Sequence, residues 1–296
     1  MTATVGATPG EGLGPLQPPG DTTGLFGVFK RRYLLKLLVQ KELRVRYQAS
    51  LLGFAWSYVK PLVRFFVYYL VIGTLLGLRG DVENFALHIF AGLMFVTSFN
   101  ETLTSGTKSV IKNKSLVRKM NVPREMFPVA SVLVTNYHLV PQYVVMLGAC
   151  VLVGWSPTPY SLASGVLAYL ILFTFSLAVA LSFSALCVYF RDFGNFVDTI
   201  NILVRWSVPM IYPWSLVQES LPNWGQQLYL LNPVAPAVML NQQCFWVPSL
   251  SNPAEGSDFP SDLMTRGLVM LLACVLLLAL AQWVFARLET RFAERL

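Results

Sequence analysis

The sequence predicts an all-α, polytopic membrane protein, with six transmembrane helices, an amino-terminal amphipathic helix in the interface and re-entrant helices on the outer side. Three observations lead there. Of 296 residues, 55% are hydrophobic and 12% charged, more apolar surface than one soluble core can hide. Six apolar stretches reach the roughly 20 residues that a helix needs to cross a hydrocarbon core of about 30 Å. The positive charge is gathered in two blocks, residues 30–46 and 108–124. Short loops rich in Lys and Arg stay on the cytoplasmic side, so an even number of crossings separates the blocks. The net charge of +7 is then a topological signal, suited to anionic lipid headgroups or an acidic cytoplasmic partner rather than to nucleic acid.

Residues 1–24 are rich in Gly, Pro and Thr and hold too little apolar content to fold alone, which predicts a disordered tail. No apolar run preceded by positive charge marks a signal peptide. Residues 25–52 alternate an apolar stripe with the first basic block. That pattern fits a helix lying among the headgroups, with Arg44, Arg46 and Tyr47 near its end, or a basic juxtamembrane flank without helical order.

Residues 53–290 form the transmembrane domain, with spans over residues 61–78, 85–106, 127–153, 161–188, 196–216 and 263–286. Six spans place both termini in the cytoplasm. The connections at residues 79–84 and 154–160 are short, and residues 217–265 contain no Lys or Arg, so all three fall outside. Arg191 and the terminal Arg287, Arg291 and Arg295 fall inside.

Within the outer segment, residues 217–262, the run LYLLNPVAPAVML at 228–240 is apolar but too short to cross, and Pro233 and Pro236 interrupt any continuous helix. It should dip and return around Asn232 and Pro233. Non-helical backbone at membrane depth survives only when buried in protein or lining a cavity, so the hairpin marks either an outer gate or a cover packed over helix ends.

Polar residues in the spans carry the next layer. Lys60 and Arg64 sit one helical turn apart at the inner end of the first span, where they serve a channel entrance or reach out to headgroups. Asn100, Glu101, Asp198 and Arg205 lie in or near other spans and should face a bundle interior, a cavity or one another. His88 has no acidic neighbour in its span, and His88 and His138 stand apart in sequence. The four cysteines, Cys150, Cys187, Cys244 and Cys274, have no metal or redox spacing and read as small buried hydrophobes. No phosphate-binding GxxxxGK[ST] loop, HExxH or CxxC occurs, so the chain predicts no cofactor or metal of its own and an outside energy source.

Five motifs now fall in one order: RYQASLLG from Arg46 to Gly53 with Trp56 and Pro61, VIKNKSLVRK from Val110 to Lys119 with Pro123, Tyr189-Phe190-Arg191-Asp192, Pro209-Met210-Ile211-Tyr212-Pro213, and Asn232-Pro233. Together they resemble the membrane subunits of ABC-2 type polysaccharide exporters, the group that moves O-antigen and teichoic acid precursors. The similarity extends to the actinobacterial exporters of lipid-linked galactan. The long amino terminus and the Lys60-Pro61 pair depart from the family pattern.

The resemblance implies a homodimer in the plasma (inner) membrane that binds two copies of an ABC ATPase subunit, with ATP and Mg held by that partner, and exports a lipid-linked polysaccharide. It makes residues 108–124 the coupling loop, with Ile111, Asn113, Leu116, Val117 and Lys119 at the contact. From the residues themselves, Ile111, Leu116 and Val117 offer an apolar knob among cations suited to an acidic groove. Sugars stack their C–H faces on rings, so Phe65, Phe66, Tyr68 and Tyr69 in the first span and Trp206, Tyr212 and Trp214 in the fifth are candidates for the channel wall, or for an interfacial belt. A permease for a lipid or drug would share the topology. A membrane-bound transferase would need clustered catalytic side chains facing one leaflet.

Overall fold

A computed structural model describes residues 24–48, 50–75, 77, 82–119, 122–190, 192–252 and 259–295. The tail expected over residues 1–24 lies almost wholly outside these, as do Arg191 and residues 253–258. The described residues form helices and turns and no strand. In chain order the helices are α1 (Gly24–Lys30), α2 (Arg32–Tyr47), α3 (Trp56–Tyr68), α4 (Phe85–Thr107), α5 (Ser109–Lys112), α6 (Lys114–Lys119), α7 (Met126–Leu152), α8 (Pro159–Tyr189), α9 (Phe193–Trp206), α10 (Trp214–Ser220), α11 (Asn223–Leu230), α12 (Val234–Phe245), α13 (Leu263–Glu289) and α14 (Phe292–Arg295). A π-helical segment, Tyr69–Leu75, prolongs α3.

The longest helices match the expected spans to within a few residues. With 23, 27, 31 and 27 residues, α4, α7, α8 and α13 extend roughly 35–46 Å at 1.5 Å per residue. Among the described residues, α8 and α13 are both long and apolar enough to cross a membrane on composition alone. Helices α4 and α7 carry polar residues within their length, and those residues turn inward. The start of α8 is set by Thr158 and Ser161, whose hydroxyls each accept the other's backbone N–H (3.1 and 3.0 Å).

Two expected elements are corrected. The span expected over 196–216 is not one helix: α9 stops at Trp206, and residues 207–213 run irregularly before α10. Pro209 is the cause, since its ring clashes with a helical carbonyl four residues back and turns Val208 away from helical geometry. The hairpin over 228–240 breaks at Asn232 and Pro233, but Pro236 interrupts nothing. It occupies the first turn of α12, where a backbone N–H has no helical partner in any case.

Helix α12 is the centre of one apolar core and is buried from Val234 to Gln242 between α4, α8 and α13. A second core lies at the other end of the bundle, where α2, the start of α7 and the end of α8 enclose Leu35, Val110, Met126, Ala185 and Phe285. The irregular segment after α9 presses onto α4 at Gly92, where a Cβ would come within 2.6 Å of Met210 Cβ and 2.8 Å of its Cα. Small residues of this kind let membrane helices approach closely.

Gly92→Ala should therefore destabilise the fold by about 1–3 kcal/mol, because backbone must move to admit the methyl. Heat challenge of the detergent-solubilised protein, read as the fraction remaining monodisperse, should show a lower midpoint. Gly148→Ala, where no atom lies within 4 Å of the new Cβ, should leave the midpoint unchanged or raise it.

Candidate functional site

Polar side chains from five elements converge on one cavity of about 670 Å³. Helix α3 contributes Ser57 and Lys60, α4 contributes Thr97, Asn100, Glu101 and Thr104, α7 contributes His138 and Gln142, α9 contributes Asn201 and Arg205, and the end of α2 closes it with Arg46 and Tyr47. The spacing explains the convergence. Positions 97, 100, 101 and 104 follow i, i+3, i+4, i+7, and 138/142 and 201/205 follow i, i+4, so each helix turns one polar stripe toward the same space.

Hydrogen bonds fix the walls. Tyr47 Oη lies 2.5 Å from Ser57 Oγ and 2.9 Å from His138 Nδ1, and Ser57 Oγ lies 3.0 Å from the same ring nitrogen, so α2, α3 and α7 meet at one three-residue junction. Asn201 donates to Thr104 Oγ1 at 2.9 Å and Asn100 to the Asn201 carbonyl at 3.4 Å, tying α9 to α4. Arg46 forms an ion pair with Glu101. Lys60 has its ammonium 5.8 Å from the centre of the Trp56 ring. Among the described residues, Lys60 and Arg205 have no carboxylate at ion-pair distance. Three cations against the single carboxylate Glu101 leave the lining at a formal +2. All three cations are exposed to the cavity and its opening, and a cleft with surplus positive charge concentrates anionic guests.

A smaller polar chamber of about 440 Å³ adjoins it toward the loop after α4. The two share Arg46, Glu101 and Thr104, so the Arg46–Glu101 pair stands at their junction.

Of the residues singled out in sequence, Lys60, Asn100, Glu101 and Arg205 meet in the cavity with Arg46 and Tyr47. The Arg64 side chain lies outside the described atoms. Asp198 is exposed, and His88 packs edge-on against Trp246 (4.7 Å), away from the cavity. The aromatic candidates are not brought together there. Phe65 packs on Phe90 and Tyr69, Tyr68 and Tyr69 lean on the core, and Phe66 and Trp206 face outward at 55% and 62% exposure. Tyr212 hydrogen-bonds Tyr229, whose ring packs against the buried Trp214. Among the described residues, Trp56 is the one tryptophan lining the cavity.

The loop after α4 is also turned differently from a free knob. Val117 is buried against its own chain, and Ile111 and Leu116 are partly buried there. Asn113 is 5% exposed and bonded to α2, which leaves Lys112, Lys114, Arg118 and Lys119 on the surface. Arg44 is exposed on α2. Asn232 joins two breaks: it caps α12 by accepting the Val234 N–H at 3.1 Å and donates to the Ser207 carbonyl at 3.3 Å. Ser57, Thr97, Thr104, Gln142 and Asn201 escaped the sequence reading, although the helical spacing of polar residues within apolar spans was the available signal.

Residues 33–246 match the ABC-2 type transporter family. The chain belongs to that family. The match contains the whole cavity lining and ends with the residue after α12, before α13. The chain is similar, at 30% identity over 220 residues, to the O-antigen export system permease protein RfbA of Myxococcus xanthus, covering 74% of this chain and 82% of that protein. Similarity to RfbA of Klebsiella pneumoniae is 26% over 264 residues, 88% of this chain and 94% of the relative. The capsule polysaccharide export inner-membrane protein CtrC of Neisseria meningitidis serogroup B is 22% identical over 204 residues, 69% of this chain and 76% of its own length.

The cavity charge of this ABC-2 chain is directly measurable. The native cysteines are buried, so Thr97→Cys should supply the reactive thiol. An anionic sulfonate thiol reagent should modify it about threefold or more faster than a cationic trimethylammonium reagent, because a positive cleft concentrates anions. Adding Lys60→Gln and Arg205→Gln should remove the preference.

Proposed function

We propose that the chain is the transmembrane subunit of an ATP-driven exporter that carries a lipid-linked polysaccharide, an O-antigen-like polymer or galactan, from the cytoplasmic to the outer side of the plasma membrane. The observation that carries this reading is the cavity built from facing polar stripes inside an otherwise apolar bundle, in a chain of the ABC-2 family. Hydroxyl-rich sugars match its many neutral donors and acceptors, and the surplus positive charge suits acidic groups on the cargo. The named relatives export O-antigen and capsule polysaccharide.

The topology in this reading is six crossings with both termini inside, the fifth made by α9 and the broken segment after it, and α10 to α12 forming the outer re-entrant region around Asn232 and Pro233. Two copies of the chain pair with two ATPase subunits, which bind ATP and Mg. This chain supplies the path and does no chemistry. Exposed Lys114, Arg118 and Lys119 meet acidic residues of the ATPase, while Ile111, Asn113, Leu116 and Val117 hold the docking loop to its own bundle. Helix α1 and α2 rest among inner-leaflet headgroups, where the exposed Phe26, Phe29 and Tyr33 enter the apolar boundary and Arg44 reaches phosphates.

The purified chain should hydrolyse no ATP by itself and should co-purify with its co-expressed ATPase. In vesicles containing that complex, labelled lipid-linked glycan should become accessible on the outer face only with ATP. Lys60→Gln with Arg205→Gln should slow export on the order of tenfold, equivalent to about 1.4 kcal/mol of lost interaction, with the complex still assembled. Hydrolysis by the isolated chain would sink the two-subunit reading, and wild-type export by the double variant would remove the cavity from the path.

A further inference from the structure

Helix α2 is fastened at two successive turns to two different parts of the molecule. At the first, Lys112 Nζ donates to Glu42 Oε2 at 2.6 Å and Lys41 Nζ donates to Asn113 Oδ1 at 2.9 Å. Asn113 completes the group by donating its Nδ2 to the Ser109 carbonyl at 3.0 Å and toward Glu42 Oε1 at 3.4 Å. Both faces of that one amide are used: its oxygen holds α2 through Lys41, and its nitrogen holds α2 through Glu42. One turn later on the same side, i+4 from Glu42, Arg46 pairs with Glu101 on the cavity wall.

We infer that Lys41, Glu42, Lys112 and Asn113 form a latch that makes the docking loop and α2 a single moving body. Displacement of the loop by an ATPase is thereby delivered to Arg46 and Glu101, at the junction of the two polar chambers. The inference rests on the proposed function for the identity of the partner. The four side chains are positioning residues, and none lines the larger cavity. Their geometry suits transmission rather than stability. The Lys112 side chain is 57% exposed and that of Glu42 15%, and an ion pair open to water on one side adds little to folding. A pair of cross-links spanning two elements, with a second ion pair one helical turn away, restricts relative motion of those elements whatever its net energy.

The complex co-expressed with its ATPase provides the test, with two readings taken on each variant. One is glycan exported per ATP hydrolysed. The other is the change that ATP causes in thiol-reagent reactivity of Thr97→Cys, which depends on cavity motion and not on the cargo. Glu42→Lys, which sets like charges against Lys112, should leave assembly and hydrolysis in place and reduce both readings about fivefold or more, at the low end of measured couplings between sites. Adding Lys112→Glu should restore both to within about twofold. In a separate background with the native cysteines replaced, a disulfide between Lys41→Cys and Asn113→Cys should preserve both readings.

Unchanged readings in Glu42→Lys would overturn the latch. So would a disulfide that stops the cavity response, since the loop and α2 would then have to part rather than travel together. A wild-type complex that shows the ATP-driven cavity response but moves no glycan would count against the cargo assignment alone.

Discussion

Backbone carbonyls that no helix satisfies are the constraint around which this bundle is arranged. In hydrocarbon an unpaired N–H or C=O costs several kcal/mol, so a helix can be broken there only where side chains replace the lost partners. After Trp206 the chain breaks, and three carbonyls are taken up in turn. Tyr212 donates to the Trp206 carbonyl at 2.7 Å, Asn232 to Ser207 at 3.3 Å, and Gln242 to Pro209 at 3.0 Å. Those donors come from the break itself, from the α11–α12 turn and from buried α12. Gln242 also reaches the His88 carbonyl at 3.3 Å, and Asn241 donates to the Ala91 carbonyl at 2.8 Å, which fixes α12 against α4. One proline at position 209 thus dictates where α12 lies, why Gly92 must be small and where α9 ends.

The end of α9 matters because its second half supplies Asn201 and Arg205. A continuous helix through 216 would carry the same residues, but Met210 would not then fold back onto α4 and lock α9 beside the Thr97–Thr104 stripe. The cavity is therefore a by-product of the same break. Its walls are held from the α2 side as well, by Arg46 with Glu101 and by the Tyr47, Ser57 and His138 junction. Structural order runs without interruption from the surface loop at Lys112 through α2 to the middle of the bundle, which is the connection an externally powered transporter requires.

The sequence was most readable where hydrophobic length alone decides structure. Helices α4, α7, α8 and α13 begin and end within three residues of the apolar stretches, because each is a long run with capping or turn residues at its ends. It was least readable where tertiary contact decides direction. Val117, Ile111 and Leu116 read as an exposed knob, yet all three turn into the second core while the cations beside them face out. Trp214 and Phe65 are aromatic residues in apolar runs, and composition cannot distinguish a ring stacked on the core from a ring lining a path. Pro236 and Pro233 look equally disruptive until the start of α12 is known, two positions before the one and immediately after the other. Lys60, Glu101 and Arg205 were legible as costly charges. The neutral members of the cavity became meaningful only when their helical spacing was set against the facing stripes.

The central claim is that glycan passes through the space between α3, α4, α7 and α9. A photo-reactive side chain at Thr97, on the cavity wall, compared with one at Leu272, 61% exposed on α13, tests it most directly when both complexes are irradiated during ATP-driven export. Glycan attached at position 97 and absent at position 272 is the expected outcome. Equal labelling at the two positions, or none at position 97 in a complex that is exporting, would contradict it.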